Sequence, residues 1–132
     1  MASLLAVFVG GMLGTTLRVG ADTALPHAAD SFAWSTLAIN VVGSFALGVL
    51  TARVWPTARP WVRAGLGPGV LGAFTTFSAV MVSVVAFTAA DRVMLGVAYL
   101  AASLALGFGA AAVGLQLGRA TKPLAVETGT DG

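Results

Sequence analysis

An all-α membrane protein with four transmembrane helices is predicted from three observations. Of the 132 residues, 58% are apolar and only 9% charged, where a soluble domain carries about a quarter charged. Mean hydropathy is +0.93, so water is the wrong solvent for most of this surface. The few charges are also segregated. They leave uncharged stretches at residues 2–17, 31–52, 64–90 and 93–118, each near or above the roughly 20 residues that cross a bilayer as a helix. The connections are short, so residues 1–120 are expected to form a single membrane body and residues 121–132 a polar tail without fixed structure. This organisation excludes soluble enzymes, nucleic-acid binders and receptors with ectodomains. The absence of cysteine excludes disulfides, thiolate chemistry and cysteine-based metal sites.

The first span carries Gly10, Gly11 and Gly14, lacks a basic leading region and is followed by further spans. It reads as a retained helix and not as a signal peptide. It is expected to end near Arg18 and Asp22. A loop through Pro26, His27 and Asp30 then leads to a second span beginning around Phe32, with Trp34 as an interfacial aromatic. His27 is the only histidine; beside a proline and an aspartate in a loop it reads as a solvated side chain. The segment from Arg53 to Arg63 holds two prolines, three arginines and two tryptophans, the composition of a turn at the lipid headgroups. Only Asp91 and Arg92 separate the third and fourth spans, which must therefore be antiparallel neighbours.

Orientation follows from counting basic residues by side. Arg53, Arg59, Arg63, Arg119 and Lys122 share the side of both termini, against Arg92 on the other, with Arg18 at the edge of the first span. The positive-inside rule places both termini in the cytoplasm of a multi-pass plasma-membrane protein. The net charge of +2 then reflects membrane anchoring and not a nucleic-acid partner. Small residues recur at four-residue spacing (Gly10 and Gly14, Gly65 and Gly69, Ser44 and Gly48, Ala110, Gly114 and Gly118), which lets helix backbones approach closely. Four short helices enclose little interior, so some of these faces are expected to meet a second subunit. The string Gly67 to Gly72 fits the glycine pattern of dinucleotide sites, but it enters a membrane helix where such a site needs a preceding strand.

Polar residues inside the spans carry the functional signal, because a buried polar group needs a partner and often marks a pathway. Asn40 lies mid-span with Ser44 one turn later on the same face. The third span holds Gly72, Ala73, Phe74, Thr75, Thr76, Phe77 and Ser78 near its midpoint within an uncharged interval of 27 residues, longer than one straight crossing requires. This span is predicted to break there. Glycines and Pro68 weaken its first half, and the hydroxyls of Thr75, Thr76 and Ser78 can satisfy backbone groups released by the break. Such a break exposes carbonyls suited to a cation and amides suited to an anion. Tyr99, Ser103 and Gly107 share one face of the fourth span. No Asp, Glu, Lys or His lies in any of the four intervals, which argues against a proton-coupled carrier. Neutral donors and electropositive ring edges remain, a lining for a small dehydrated anion.

The strings Gly10 to Arg18, Thr36 to Phe45 and Gly72 to Ser78 together resemble the successive signatures of the Fluc/CrcB fluoride channel family, across roughly residues 2–118. The resemblance implies an antiparallel, dual-topology dimer of four-helix subunits, with fluoride pores at the interface and a structural sodium ion at the dimer axis. Carried over by position, Asn40 would donate to fluoride and Phe77 present its ring edge, with Ser44, Thr76, Ser78, Tyr99 and Ser103 completing the pore. Gly72 and Thr75 would offer backbone carbonyls to sodium, and Arg18 would take an architectural or vestibule role. Val80 departs from the family, which usually has a second phenylalanine there. Some members pair two different subunits, each lacking part of the pore equipment, and Val80 fits that arrangement. The resemblance implies a passive fluoride exporter and not an enzyme. The competing readings are a small four-helix multidrug-type transporter, disfavoured by the missing carboxylate, and a non-conducting partner subunit of a heterodimeric channel.

Overall fold

A computed structural model describes residues 1–28 and 31–121; the predicted tail, from residue 122 on, lies outside them. The described residues contain four helical stretches long and apolar enough to cross a membrane. Helix α1 is Ala2–Ala24, α2 is Trp34–Arg53 and α6 is Val93–Ala120. The third stretch, Pro60–Ala89, is built from pieces: α3 (Pro60–Ala64), a π-helical segment (Gly65–Leu71), α4 (Gly72–Phe74) and, after two non-helical residues, α5 (Phe77–Ala89). The chain is a multi-pass membrane protein with a broken third span, as its composition predicts.

One boundary and one helical winding differ from expectation. Helix α1 runs past Arg18 and Asp22 to Ala24, because no backbone breaker precedes Pro26, which disfavours helical geometry in the residue before it. A single Arg does not end a membrane helix, since its stem lies along apolar surface while its head reaches polar surroundings. The π-helical winding around Pro68 was not foreseen. Proline has no N–H to donate and its ring clashes with the carbonyl one α-turn back, so the helix widens, and Gly72 N–H reaches back five residues to Gly67 C=O.

Close approach of backbones organises the bundle. A Cβ on Gly10 would strike the carbonyl of Gly65, and one on Gly14 the carbonyl of Val70, so α1 lies directly against the π-helical segment. Gly48 of α2 faces the Ala111 carbonyl, and Gly114 of α6 faces the Phe45 carbonyl. These reciprocal contacts seat α2 on α6. The small-residue faces at Gly10 and Gly14, Gly48, and Gly114 and Gly118 thus close contacts within the subunit. Helix α5 also packs on α6, around a core of Ala33, Val80, Phe87 and Tyr99. Leu4, Phe8, Met12, Val85, Met94 and Phe108 are exposed, as suits a bundle solvated by lipid.

The tight turn between the third and fourth spans is a Schellman motif. Arg92 N–H donates to Phe87 C=O at 2.8 Å and Asp91 N–H to Thr88 C=O at 3.1 Å. Asp91 takes φ 56°, a left-handed conformation that aspartate tolerates better than most residues.

Candidate functional site: a polar groove at the helix break

Thr75 and Thr76 are the break. Thr75 is extended at φ −77°, ψ 152°, and Thr76 at φ −150°, ψ 117°. Each hydroxyl serves an adjoining helix end. Thr75 Oγ1 donates to Leu71 C=O at 2.8 Å, and Thr76 Oγ1 accepts from Ala79 N–H at 3.2 Å as the N-cap of α5. Ser78 Oγ lies 3.0 Å from Thr76 Oγ1. The break is also tied to α2. Asn40 Nδ2 donates to Thr76 C=O at 2.9 Å, and Thr76 N–H donates to Asn40 Oδ1 at 2.8 Å. One primary amide thus engages both backbone polar groups of Thr76, which explains why an asparagine stands in the middle of an apolar span.

A groove of about 320 Å³ opens beside this junction, lined by Asn40, Ser44, Thr75, Thr76, Phe77, Val80, Ser103 and Gly107, with Leu47, Leu104, Phe108 and Ala111. It carries no charged side chain. Ser103 Oγ is buried without a hydrogen-bond partner among the described residues, so a donor stands unused at its wall. Phe77 is 61% exposed, its ring presented and not packed. Val80 is only 2% exposed and belongs to the core cluster, so its methyl groups close the wall where a larger ring would project. Phe108 was missed by sequence reasoning; an aromatic on a lipid-facing helix is unremarkable until the fold places it beside the groove.

A second cavity, of about 340 Å³, joins Gly72 and Thr75 with Gly43, Ser44, Trp55, Gly67, Pro68 and Leu71. The two residues expected to offer carbonyls are thus brought together. Among the described residues no cluster of His, Cys, Asp or Glu could hold a metal ion. The oxygens on offer at the break are neutral backbone and hydroxyl oxygens, a donor set that fits a hard monovalent cation and not a transition metal.

A polar cleft lies at the end of the bundle where α1 finishes and α2 begins. Arg18, Asp22, His27, Thr36, Thr76, Ser78 and Ser83 line it. Thr76 borders both cleft and groove, so the two polar spaces meet at the break. Arg18 is among the residues on this cleft. Ser35 Oγ donates to Asp22 Oδ1 at 3.0 Å and lies 3.4 Å from His27 Nδ1. His27 lies exposed in the loop, as its reading as a solvated side chain expects, with Ser35, eight residues on, as its neighbour on α2.

Of the predicted pore residues, Ser78 lines the cleft and not the groove, and Tyr99 lines neither. It is fully buried, its hydroxyl donates to Ala33 C=O at 3.0 Å, and its ring packs edge-on against Phe32 and Phe87. It does not line the groove. A shared helix face with Ser103 did not bring both to the same space, because α5 and the start of α2 cover the Tyr99 end of that face.

Fold and site together define a polytopic α-helical membrane protein with an uncharged, donor-lined groove at a broken span. The family model described as CrcB-like protein, Camphor Resistance (CrcB) matches residues 5–115, and the chain belongs to that family. Among its relatives is the "Fluoride-specific ion channel FluC" of Rhodospirillum centenum, 42% identical over 89% of this chain and 95% of the relative. The protein of the same name from Rhizobium meliloti is 41% identical over 91% and 98%. The "Fluoride-specific ion channel FluC 2" of Leifsonia xyli subsp. xyli is 41% identical over 89% and 84%.

Proposed function

We propose that the chain is a subunit of a fluoride-selective channel, and not an enzyme, through which fluoride leaves the cytoplasm passively down its gradient. The observation that carries this is the groove. Asn40, Ser44, Thr76 and Ser103 converge with the exposed ring of Phe77 on one uncharged space, and the chain's relatives are named for fluoride. A small anion gives up its hydration on entering the membrane and must find donors along its path. An amide nitrogen carries two hydrogens, so Asn40 keeps one for the groove after serving Thr76. The hydroxyls of Ser44, Thr76, Ser78 and Ser103 extend the donor series, and the Phe77 ring edge adds a weak positive surface. The lack of a carboxylate on the groove disfavours a proton-coupled multidrug-type carrier.

The groove is open along one side of the subunit, and a second subunit, antiparallel to the first, would close it. The membrane body of residues 1–120 is the unit that pairs, set in the plasma membrane with both termini cytoplasmic. Gly72 and Thr75 would hold a structural sodium ion with their carbonyls at the dimer axis, where its charge would join the two subunits. The oriented chain and Val80 favour a paralogous partner that supplies the missing ring, and the relative from Leifsonia carries a number in its name. Purified chain in liposomes loaded with fluoride and chloride should release fluoride rapidly and retain chloride. Loss of both anions, or of neither, with an added paralogue as well as without it, rules out the channel.

A further inference from the structure

The two carbonyls assigned to sodium are those whose helical donors have been taken by side chains. In an uninterrupted helix Gly72 C=O accepts from Thr76 N–H, and Thr75 C=O accepts from Ala79 N–H, four residues on. Here Thr76 N–H goes to Asn40 Oδ1 at 2.8 Å, and Ala79 N–H goes to Thr76 Oγ1 at 3.2 Å. The two residues whose carbonyls lose these donors line one cavity together. We propose that Asn40 and the Thr76 hydroxyl are positioning residues for the cation, releasing the Gly72 and Thr75 carbonyls by engaging the amides that would otherwise bond them. This rests on the sodium reading above and extends it to residues that touch no cation themselves.

The proposal makes Asn40 serve two ions. Asn40 lines the anion groove, while its Oδ1 holds the Thr76 amide that would otherwise bond the Gly72 carbonyl. An ordinary N-cap accounts for the Thr76 hydroxyl alone, since any helix start gains from one. It does not account for Asn40, which reaches in from a different helix to take the amide of the capping residue itself.

The test is a sodium titration of the thermal stability of the full-length protein, with sodium replaced by N-methylglucamine. Thr76→Val and Asn40→Ala remove one acceptor each and should raise the sodium midpoint by about tenfold or more. Thr76→Ser keeps the acceptor and should stay within about threefold of wild type, and saturating sodium should recover much of the stability that Thr76→Val loses. A role limited to helix capping lowers stability equally at zero and saturating sodium and leaves the midpoint unmoved. That result in both variants, with a sodium-dependent wild type, overturns the proposal and leaves the sodium site standing. A wild type indifferent to sodium removes both. If Asn40→Ala does not fold, Thr76→Val decides the matter alone.

Discussion

Asn40 meets the groove, the break and α2 at one amide, and the neighbouring residues divide the remaining work. Removing its donor leaves a dehydrated anion without a partner, so Asn40→Ala should lower fluoride flux by about tenfold or more, a hydrogen bond to a charged group being worth roughly 1.5–3 kcal/mol. Phe77→Ile replaces an electropositive ring edge with a neutral aliphatic surface and should act in the same direction. Efflux from liposomes, followed with a fluoride electrode, measures both; undiminished flux in the pair would dismiss this lining. Tyr99 tests the opposite case. Its hydroxyl satisfies the Ala33 carbonyl away from the groove, so Tyr99→Phe should cost about 1 kcal/mol of stability while fluoride flux persists. Abolished flux in a folded Tyr99→Phe protein would return that hydroxyl to the pore.

At the scale of elements, glycines decide which helices touch. Gly48 and Gly114 let α2 and α6 meet backbone to backbone, and the groove lies along this same pair, with Ser44 on one helix and Ser103 on the other. Gly114→Leu would force the Phe45 carbonyl away and should destabilise the protein by about 1–3 kcal/mol, as overpacking does. Gly109 has nothing within 4 Å of a built Cβ, so Gly109→Ala on the same helix should leave the melting temperature within error of wild type or slightly above it. Equal melting temperatures for Gly114→Leu and Gly109→Ala in detergent would show that this close approach does not hold the bundle together. The broken third span follows the same logic in reverse. Its π-helical half is held by Gly10 and Gly14 of α1, its other half by α6, and the break falls where the support changes over.

For the molecule as a whole, charge sets orientation. Arg53, Arg59, Arg63, Arg119 and Lys122 stand against Arg92, with Arg18 set aside in its cleft; the chain should insert mainly with its termini inside. A C-terminal topology reporter should therefore read cytoplasmic in most copies, and fluoride efflux from the chain expressed alone should fall well below that of the chain with an oppositely oriented paralogue. Equal insertion both ways with full activity alone would make it a self-sufficient homodimer and show that Val80 is tolerated in the pore.

The four spans, the tight turn and the broken third helix were legible in the sequence, because each follows from local quantities: the length of uncharged intervals, the paucity of residues between spans, and glycine, proline and hydroxyl residues concentrated at one midpoint. The polar stripe of Asn40 and Ser44 was legible for the same reason. What only the tertiary structure decided was which polar residues share a space. Ser103 came to the groove and Tyr99, one turn earlier on the same face, did not, since other helices cover only one of them. His27 found Ser35, and Asn40 found Thr76 across 36 residues of chain. Such pairings depend on where a neighbouring backbone passes, and helical periodicity specifies the face a residue occupies without specifying what lies opposite it.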